Sequence, residues 1–317
     1  MQQLDLFDYH PSARRSRWNL SRQEIGAIVI FVLAIFFAAQ PEPLPALLPK
    51  DLPAAPIAAE ARILPTATAP TITQLSPKQL PQSFSVPVLM YHHVKIVDPY
   101  ANALDRNLTV SPSDFEQQVK YFAESGFQSV TLGQVSSALS AGASLPAKPI
   151  VFTFDDGYED VFINAVPILQ KYNYVGSFAV VPGFFGFKGY ASWDQVKAAA
   201  DAGMELVSHT MHHIDLTNRK YSFEDLMVEL EGSKLFLESR INKPVDVLIY
   251  PYGKYDQRAM EAARKAGYKI AFTTEFGTNI SLSRAYASPR VRVHGIDGLA
   301  KLKKLLGRQI AVSRQGP

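Results

Sequence analysis

The 317-residue sequence contains no cysteine. This absence excludes disulfide frameworks, thiol nucleophiles, iron–sulfur clusters and cysteine-ligated zinc sites. Any metal ion must therefore be bound by histidine and carboxylate side chains. A cysteine-free chain of this length is compatible with a bacterial envelope compartment. Only seven histidines are present, so each can be considered individually.

The sequence also lacks a strong charge imbalance, since 32 basic and 29 acidic residues leave a net charge of +3. Such a small surplus argues against nucleic acid as a partner. No Gly-x-Gly-x-x-Gly loop or Walker lysine motif follows an apolar run of strand length, which argues against a bound nucleotide. With 47% apolar and 19% charged residues, the chain can bury a sizeable core.

One hydrophobic run interrupts the N-terminal region. Residues 25–39 carry no charge and follow four arginines between positions 14 and 22. The run is short for a spanning helix, which needs about 20 apolar residues, and a buried core helix and a cleaved signal peptide are the alternatives. The long polar segment before it and the bulky Phe36 and Phe37 favour an uncleaved signal anchor. The chain is therefore predicted to be a single-pass cell-membrane protein whose following residues are extracytoplasmic.

The sequence divides into four predicted segments. Residues 1–24 form a cytoplasmic segment, and residues 25–40 form the anchor. Residues 41–83 are rich in proline and alanine and lack helical or strand periodicity, so they are expected to form a semi-extended linker. Residues 84–317 are assigned to one folded catalytic domain.

Eight apolar runs of strand length recur in this domain, and helical patterns separate most of them. The runs are residues 86–93, 128–132, 149–154, 176–181, 204–208, 245–250, 270–274 and 291–293. Such alternation implies a parallel sheet buried on both faces. It allows a (β/α) barrel or an open doubly wound sheet, and the missing nucleotide motifs favour the barrel.

Helices are predicted over residues 193–202, 223–238 and 257–266, where apolar residues recur at spacings of three and four. Ser113 and Glu116 form a capping-box signature for a further helix, which a glycine ends near position 126. The polar residues that follow the strands are the candidates for chemistry, because barrels carry their active sites at the C-terminal ends of the strands.

Asp155 and Asp156 directly follow the run 149–154 and precede Gly157. Side chains of successive residues point in different directions, so one carboxylate can bind a metal ion while its neighbour serves as a base. Asp-Asp-Gly is also a common turn sequence, and a simple turn is the alternative.

The second candidate segment runs from His209 to His213. Two histidines four residues apart can converge on one cation if the segment is helical, whereas His212 would then point elsewhere. A solvated histidine-rich loop is the alternative. Catalytic zinc sites use three protein ligands and leave one position open, and Asp156, His209 and His213 supply such a set.

Three successive motifs resemble those of the polysaccharide deacetylases, the NodB-homology family also called carbohydrate esterase family 4. They are Thr153-Phe154-Asp155-Asp156-Gly157, Ser208-His209-Thr210-Met211-His212-His213 and Tyr250-Pro251-Tyr252-Gly253. Residues 86–94 and Ser192-Trp193-Asp194 resemble a branch with membrane-anchored and secreted members, which includes poly-N-acetylglucosamine deacetylases. The resemblance implies a distorted (β/α) barrel and metal-dependent removal of N-acetyl groups from amino sugars.

Site roles are carried over by position. The resemblance implies that Asp156, His209 and His213 bind one divalent ion, with zinc expected and cobalt or nickel as alternatives. Asp155 would be the general base that takes a proton from the metal-bound water. Amide hydrolysis needs such an activated water, a stabilised oxyanion and an acid for the amine leaving group.

The remaining implied roles concern the substrate. The backbone N–H of Tyr252 would help to hold the oxyanion, and Trp193 would form one wall of the acetyl pocket. His294 would protonate the departing amine. His92 and His93 end the first predicted strand on the same rim, where a structural role and a substrate contact are both open.

The sequence departs from the family pattern at three places. Ile249 stands where the third motif often carries the arginine that pairs with the base, and Arg290 is hypothesised to replace that arginine. Trp193 precedes the histidine motif instead of following it. Arg292 stands where the late motif has leucine, two positions before His294.

The predicted protein is thus a hydrolase that removes N-acetyl groups from amino-sugar polymers of the cell envelope or extracellular matrix. Two alternatives remain: a non-catalytic, membrane-tethered glycan-binding protein, and an amidase or esterase of the same fold that acts on another acetylated substrate. Peptidoglycan, poly-N-acetylglucosamine, chitin-like oligomers and acetylated xylan are all open as the polymer. No oligomeric state is predicted.

Overall fold

The structure is a computed structural model that describes residues 83–313. The predicted cytoplasmic segment, the anchor and nearly all of the linker lie outside these residues. Within residues 83–313, no helix combines the length and the apolar character that crossing a membrane requires.

Within this range the chain forms twelve strands and eight α-helices, numbered here in chain order. The strands are β1 Ser83–Ser85, β2 Val88–Tyr91, β3 His93–Val94, β4 Thr109–Val110, β5 Gln128–Ser129, β6 Pro149–Phe154, β7 Ser177–Val180, β8 Glu205–Ser208, β9 Val247–Ile249, β10 Ile270–Phe276, β11 Asn279–Ser281 and β12 Ser288–Arg292. The helices are α1 Ala103–Leu108, α2 Pro112–Glu124, α3 Leu132–Ala141, α4 Val166–Lys171, α5 Trp193–Asp201, α6 Phe223–Ile241, α7 Gln257–Lys265 and α8 Gly298–Ser313. Shorter turns connect them, among them a π-helical turn at Val161–Ala165.

Seven parallel strands close into a barrel in the order β2-β12-β10-β9-β8-β7-β6, and β6 pairs back to β2. The closing pair is in register over four residue pairs, including Leu89 opposite Phe152. The barrel is irregular, since β8 and β9 share a single registered pair, Ser208 opposite Leu248. The structure therefore confirms the predicted barrel and excludes the open sheet.

Alternating side chains of the strands build two apolar layers. On β6, Ile150, Phe152 and Phe154 pack outward against the helices. Val151 points into the barrel, where it packs with apolar residues of the neighbouring strands and of α3. Thr153, the next inward residue, binds the Arg290 guanidinium, so the barrel interior becomes polar just below the C-terminal ends of the strands.

Local signals in the sequence located most elements but not all of their ends. Helices α5, α6 and α7 begin where they were predicted. The predicted capping box at Ser113 is wrong: α2 begins after Ser111, whose hydroxyl accepts the N–H of Asp114 at 3.1 Å. The run 128–132 is a strand only to Ser129, because Thr131 caps the helix that follows.

Candidate active site

The candidate site lies at the C-terminal mouth of the barrel, where β6, β8 and β9 end. Asp155 and Asp156 follow β6, His209 follows β8, and Tyr252 lies in the turn after β9. The carboxyl ends of parallel strands meet at one end of a barrel, so residues far apart in sequence converge here.

A tight turn separates the two neighbouring carboxylates. Asp156 has φ 72° and Gly157 has φ 74°, a left-handed conformation that residues other than glycine adopt rarely. Asp155 lies inside the barrel and is 3% exposed. Asp156 faces the two histidines of the β8–α6 loop. The turn therefore gives the two side chains different partners.

Asp156, His209 and His213 form one compact group. The Asp156 Oδ1 atom lies 3.2 Å from Nε2 of His209 and 3.2 Å from Nε2 of His213. Burial alone would raise the pKa of Asp156, but hydrogen bonds from the two imidazoles hold the pKa well below its usual value. The carboxylate is therefore ionised, as a metal ligand must be.

The geometry of this group fits a divalent metal ion. One atom from each of the three residues lies within 4.8 Å of the others. A tetrahedral ion with bonds of about 2.0–2.1 Å needs ligand atoms about 3.3 Å apart, which agrees with the separations at the carboxylate. Two imidazole nitrogens and one carboxylate oxygen are also a donor set that catalytic zinc uses.

The histidine segment is not helical, so the predicted reason for its convergence is wrong. Thr210 has φ 66° and His213 has φ 56°, and these two left-handed residues bend the chain back on itself. The Thr210 hydroxyl accepts the N–H of His213 at 3.0 Å. His212 is directed away, since its Nδ1 lies 2.7 Å from Oε1 of Glu229 on α6.

A backbone carbonyl orients His209, which is 2% exposed. Its Nδ1 lies 2.7 Å from the carbonyl oxygen of Ile249, at the end of β9, the strand that pairs with β8. With Nδ1 donating to this carbonyl, Nε2 keeps its lone pair for a metal ion. Ile249 thus contributes its carbonyl group to the site, while its side chain packs in the inner apolar layer.

Asp155 forms a buried ion pair with Arg290 of β12. Nη1 and Nη2 of Arg290 each donate to a different oxygen of Asp155 at 2.7 Å. Arg290 is itself completely buried, and Thr153 and the carbonyl of Thr273 fix its position. Burial would raise the pKa of Asp155, but the charge and hydrogen bonds of Arg290 outweigh it and lower the pKa.

Tyr252 lies beside the Asp/His group in a strained turn. Its φ is 59°, and its ring lies 4.6 Å from the ring of His213. Gly253 must be glycine, since a Cβ there would lie 2.5 Å from the backbone nitrogen of Thr274. The structure thus places Tyr252 at the mouth of the barrel, against His213.

His92 is the residue that sequence reasoning undervalued. Burial lowers its pKa below the usual value, and the charges of Asp156 and Asp155 act against this lowering, so His92 lies near both carboxylates. The sequence signal for this residue was the pair of adjacent histidines that ends the first predicted strand. His294 lies after β12, and its electrostatic partners are Asp297, Arg292 and Lys301.

The structure does not bring Trp193 to the Asp/His group. Trp193 is the first residue of α5, and its ring contacts Phe185, Phe236 and the guanidinium of Arg240. These contacts lie in the helical layer around α6. The motif order explains the difference, because this tryptophan precedes β8 and so belongs to a crossover helix.

Comparisons with known proteins agree with this architecture. The family model of polysaccharide deacetylases matches residues 142–271. A Bacillus subtilis (strain 168) protein, provisionally named polysaccharide deacetylase YxkH, is 30% identical over 216 residues, which cover 68% of this chain and 74% of the relative.

Two further proteins extend the comparison. The poly-beta-1,6-N-acetyl-D-glucosamine N-deacetylase of Escherichia coli O157:H7 is 28% identical over 253 residues, which cover 67% of this chain but only 37% of that protein. The solved structure of the Streptococcus pyogenes deacetylase PplD in complex with acetate superposes with a TM-score of 0.65 at 29% identity, covering 70% of this chain and 98% of that structure. The chain therefore belongs to the polysaccharide deacetylase family.

Proposed function

We propose that the protein removes N-acetyl groups from amino-sugar polymers by hydrolysis that depends on a divalent metal ion. The observation that carries this proposal is the separation of two adjacent carboxylates. Asp156 faces His209 and His213 across 3.2 Å, whereas Asp155 is paired with Arg290. One carboxylate is thus free to act as a ligand and the other as a base.

Asp156, His209 and His213 would hold the ion, with zinc favoured by the donor set. The bound ion would supply Lewis-acid chemistry, which polarises a carbonyl and lowers the pKa of water. Asp155 would accept a proton at one of its oxygens. The Arg290 pair keeps Asp155 ionised and fixes its orientation, so that the carboxylate is ready to accept that proton.

Hydrolysis of an amide also needs a proton for the departing amine. Burial lowers the pKa of His92, but the charges of Asp156 and Asp155 act against this lowering and favour its protonated form, so we infer that His92 is the better-placed donor. The charged groups that act on His294 are instead Asp297 on its own loop, Arg292 at the end of β12 and Lys301 on α8. We therefore assign proton donation to His92 and treat His294 as the competing assignment.

The turn at Tyr252 would complete the site. Its left-handed backbone places this residue against His213, next to the Asp/His group. Backbone N–H groups aimed at a developing oxyanion are a common means of stabilising acyl-transfer transition states. The N–H of Tyr252 would serve in that way.

Acetate release from N-acetylglucosamine oligomers and from peptidoglycan tests the proposal. The full-length protein is assayed after removal of metal and again after addition of zinc, cobalt or nickel. We expect release only with metal. Glycan retention without acetate release under every metal would instead support the non-catalytic glycan-binding function.

A further inference from the structure

Arg292 is a charged residue at the mouth that the proposed hydrolysis does not use. It ends β12, in register with Met90 of β2. Alternation along a strand places it on the same face as Arg290, one layer nearer the mouth. Its side chain therefore lies above the buried Arg290–Asp155 pair.

Within residues 83–313, Arg292 forms no ion pair with a carboxylate. The ion pairs at the mouth are formed by His209, His213 and Arg290. Asp155 is already paired with Arg290, and Asp156 faces the two histidine ligands. Burial lowers the pKa of Arg292, and the charges of Asp155 and Asp156 oppose this effect. Removing a guanidinium partly from water without pairing it with an anion costs free energy of folding. The position of Arg292 at the mouth of the barrel therefore points to an anionic ligand.

Two histidines lie near Arg292. Burial lowers the pKa of His92 and of His294, and the positive charge of Arg292 lowers both further, so the two imidazoles lie near Arg292 and favour the neutral form. The carboxylate whose charge acts on His294 is Asp297, which accepts from Lys301 at 2.6 Å. An anionic substituent on the substrate would therefore meet complementary charge at the Arg292 guanidinium.

We propose that Arg292 makes the protein selective for N-acetylated amino sugars that carry a carboxylate near the acetamido group, as in a glycan with lactyl ether substituents. The planar guanidinium binds a carboxylate through two parallel hydrogen bonds. A neutral N-acetylglucosamine polymer offers no such group. The inference rests on the proposed deacetylation and narrows its substrate class.

The test compares two oligosaccharides of equal length, one of N-acetylglucosamine alone and one with lactyl ethers on alternate sugars. Acetate release by the full-length, metal-restored protein gives kcat/KM for each. For Arg292→Leu we expect the ratio of acidic to neutral kcat/KM to fall on the order of tenfold. Arg292→Lys should keep part of the preference, because it retains the charge without the planar fork.

Lys188→Leu is the matched control, since it removes one positive charge from an exposed position near the mouth. Its ratio should equal that of the wild-type protein. Equal ratios for wild type and Arg292→Leu, with both oligosaccharides hydrolysed, would overturn the inference and leave the proposed function standing. Release of acetate from neither oligosaccharide by the wild-type protein would overturn both.

Discussion

At the scale of single residues, Asp155 and Asp156 carry the same side chain in two different surroundings. Asp155 is locked by two hydrogen bonds from a fully buried arginine. Asp156 faces two imidazoles. Fixed partners of this kind set the charge and direction of each carboxylate before substrate arrives, which is what catalysis by preorganised groups requires.

The Arg290–Asp155 pair leads to a prediction about stability. Arg290→Met should destabilise the metal-free protein at neutral pH by roughly 3–5 kcal/mol, because it leaves a buried carboxylate without its partner. Since the folded pKa of Asp155 is below 3.8, the stabilisation by the pair should be present above that pH and fade as pH falls through the lowered pKa. Denaturant unfolding at several pH values measures both effects.

The double variant Asp155→Asn with Arg290→Met is the control for this prediction. It removes both charges, so it should recover part of the stability lost in Arg290→Met. Equal unfolding free energies for Arg290→Met and the wild-type protein would show that the pair does not stabilise the fold.

A second residue-scale prediction separates the two candidate proton donors. His92→Gln should lower kcat by about 10²–10⁴-fold, the usual contribution of a positioned acid, while metal binding stays intact. Burial lowers the pKa of His294, and the charges that act on it are those of Asp297, Arg292 and Lys301. His294→Gln should therefore have a much smaller effect. Steady-state kinetics on one oligomer decides between them, and the reverse pattern would assign the proton to His294.

At the scale of elements, the β8–α6 loop positions both histidine ligands through contacts with its neighbours. The N–H of Met211 donates to the carbonyl of Glu229 at 3.0 Å, and the carbonyl of Met211 accepts from Gly183 at 2.9 Å. The loop is therefore held between α6 and the turn after β7. These hydrogen bonds to neighbouring elements help to fix the conformation of the loop.

Gly183 gives an element-scale prediction. A Cβ at this position would lie 2.7 Å from the carbonyl oxygen of Met211, too close for the loop to stay in place. Gly183→Ala should weaken metal binding roughly tenfold or more, as changes around metal ligands do, although it removes no ligand. Equilibrium competition with a chelator measures the effect.

Gly232→Ala on α6 is the matched control. Its Cβ would lie 3.6 Å from the Met211 side chain, an ordinary contact. Metal affinity should therefore match that of the wild-type protein. Unchanged affinity in Gly183→Ala as well would show that the loop tolerates displacement.

Elements with strong local patterns could be predicted from the sequence. The apolar run before Asp155 and the runs before His209 and Tyr252 all became barrel strands. Since parallel strands end at one mouth, the Asp/His group could be placed without knowledge of the loop conformation. The two histidines converge on Asp156 as predicted, but left-handed bends in the loop bring them together and not the helical spacing on which the prediction was based.

Features fixed by distant packing were harder to predict. Arg290 lies 135 residues from Asp155 in sequence, and only closure of the barrel brings β12 and β6 to the two sides of β2. Trp193 matched a motif by composition, yet its place in a crossover helix puts it in the outer layer. The electrostatic interaction of His92 with Asp156 and Asp155 likewise depends on closure of the barrel, because β2 pairs with both β6 and β12.

At the scale of the whole molecule, the described residues account for a complete barrel with one polar mouth. The signal anchor predicted at residues 25–40 lies outside them and stays a prediction, as does the extracytoplasmic location that follows from it. The family assignment rests on the folded domain alone.

The most direct test of the account measures metal binding and acetate release on the same full-length preparations. Asp155→Asn should bind the ion as the wild-type protein does yet release almost no acetate, because it keeps the shape of the side chain and loses the base. Asp156→Asn should lose metal affinity and activity together. Full activity in Asp155→Asn, or unchanged metal affinity in Asp156→Asn, would contradict the division of roles between these two carboxylates.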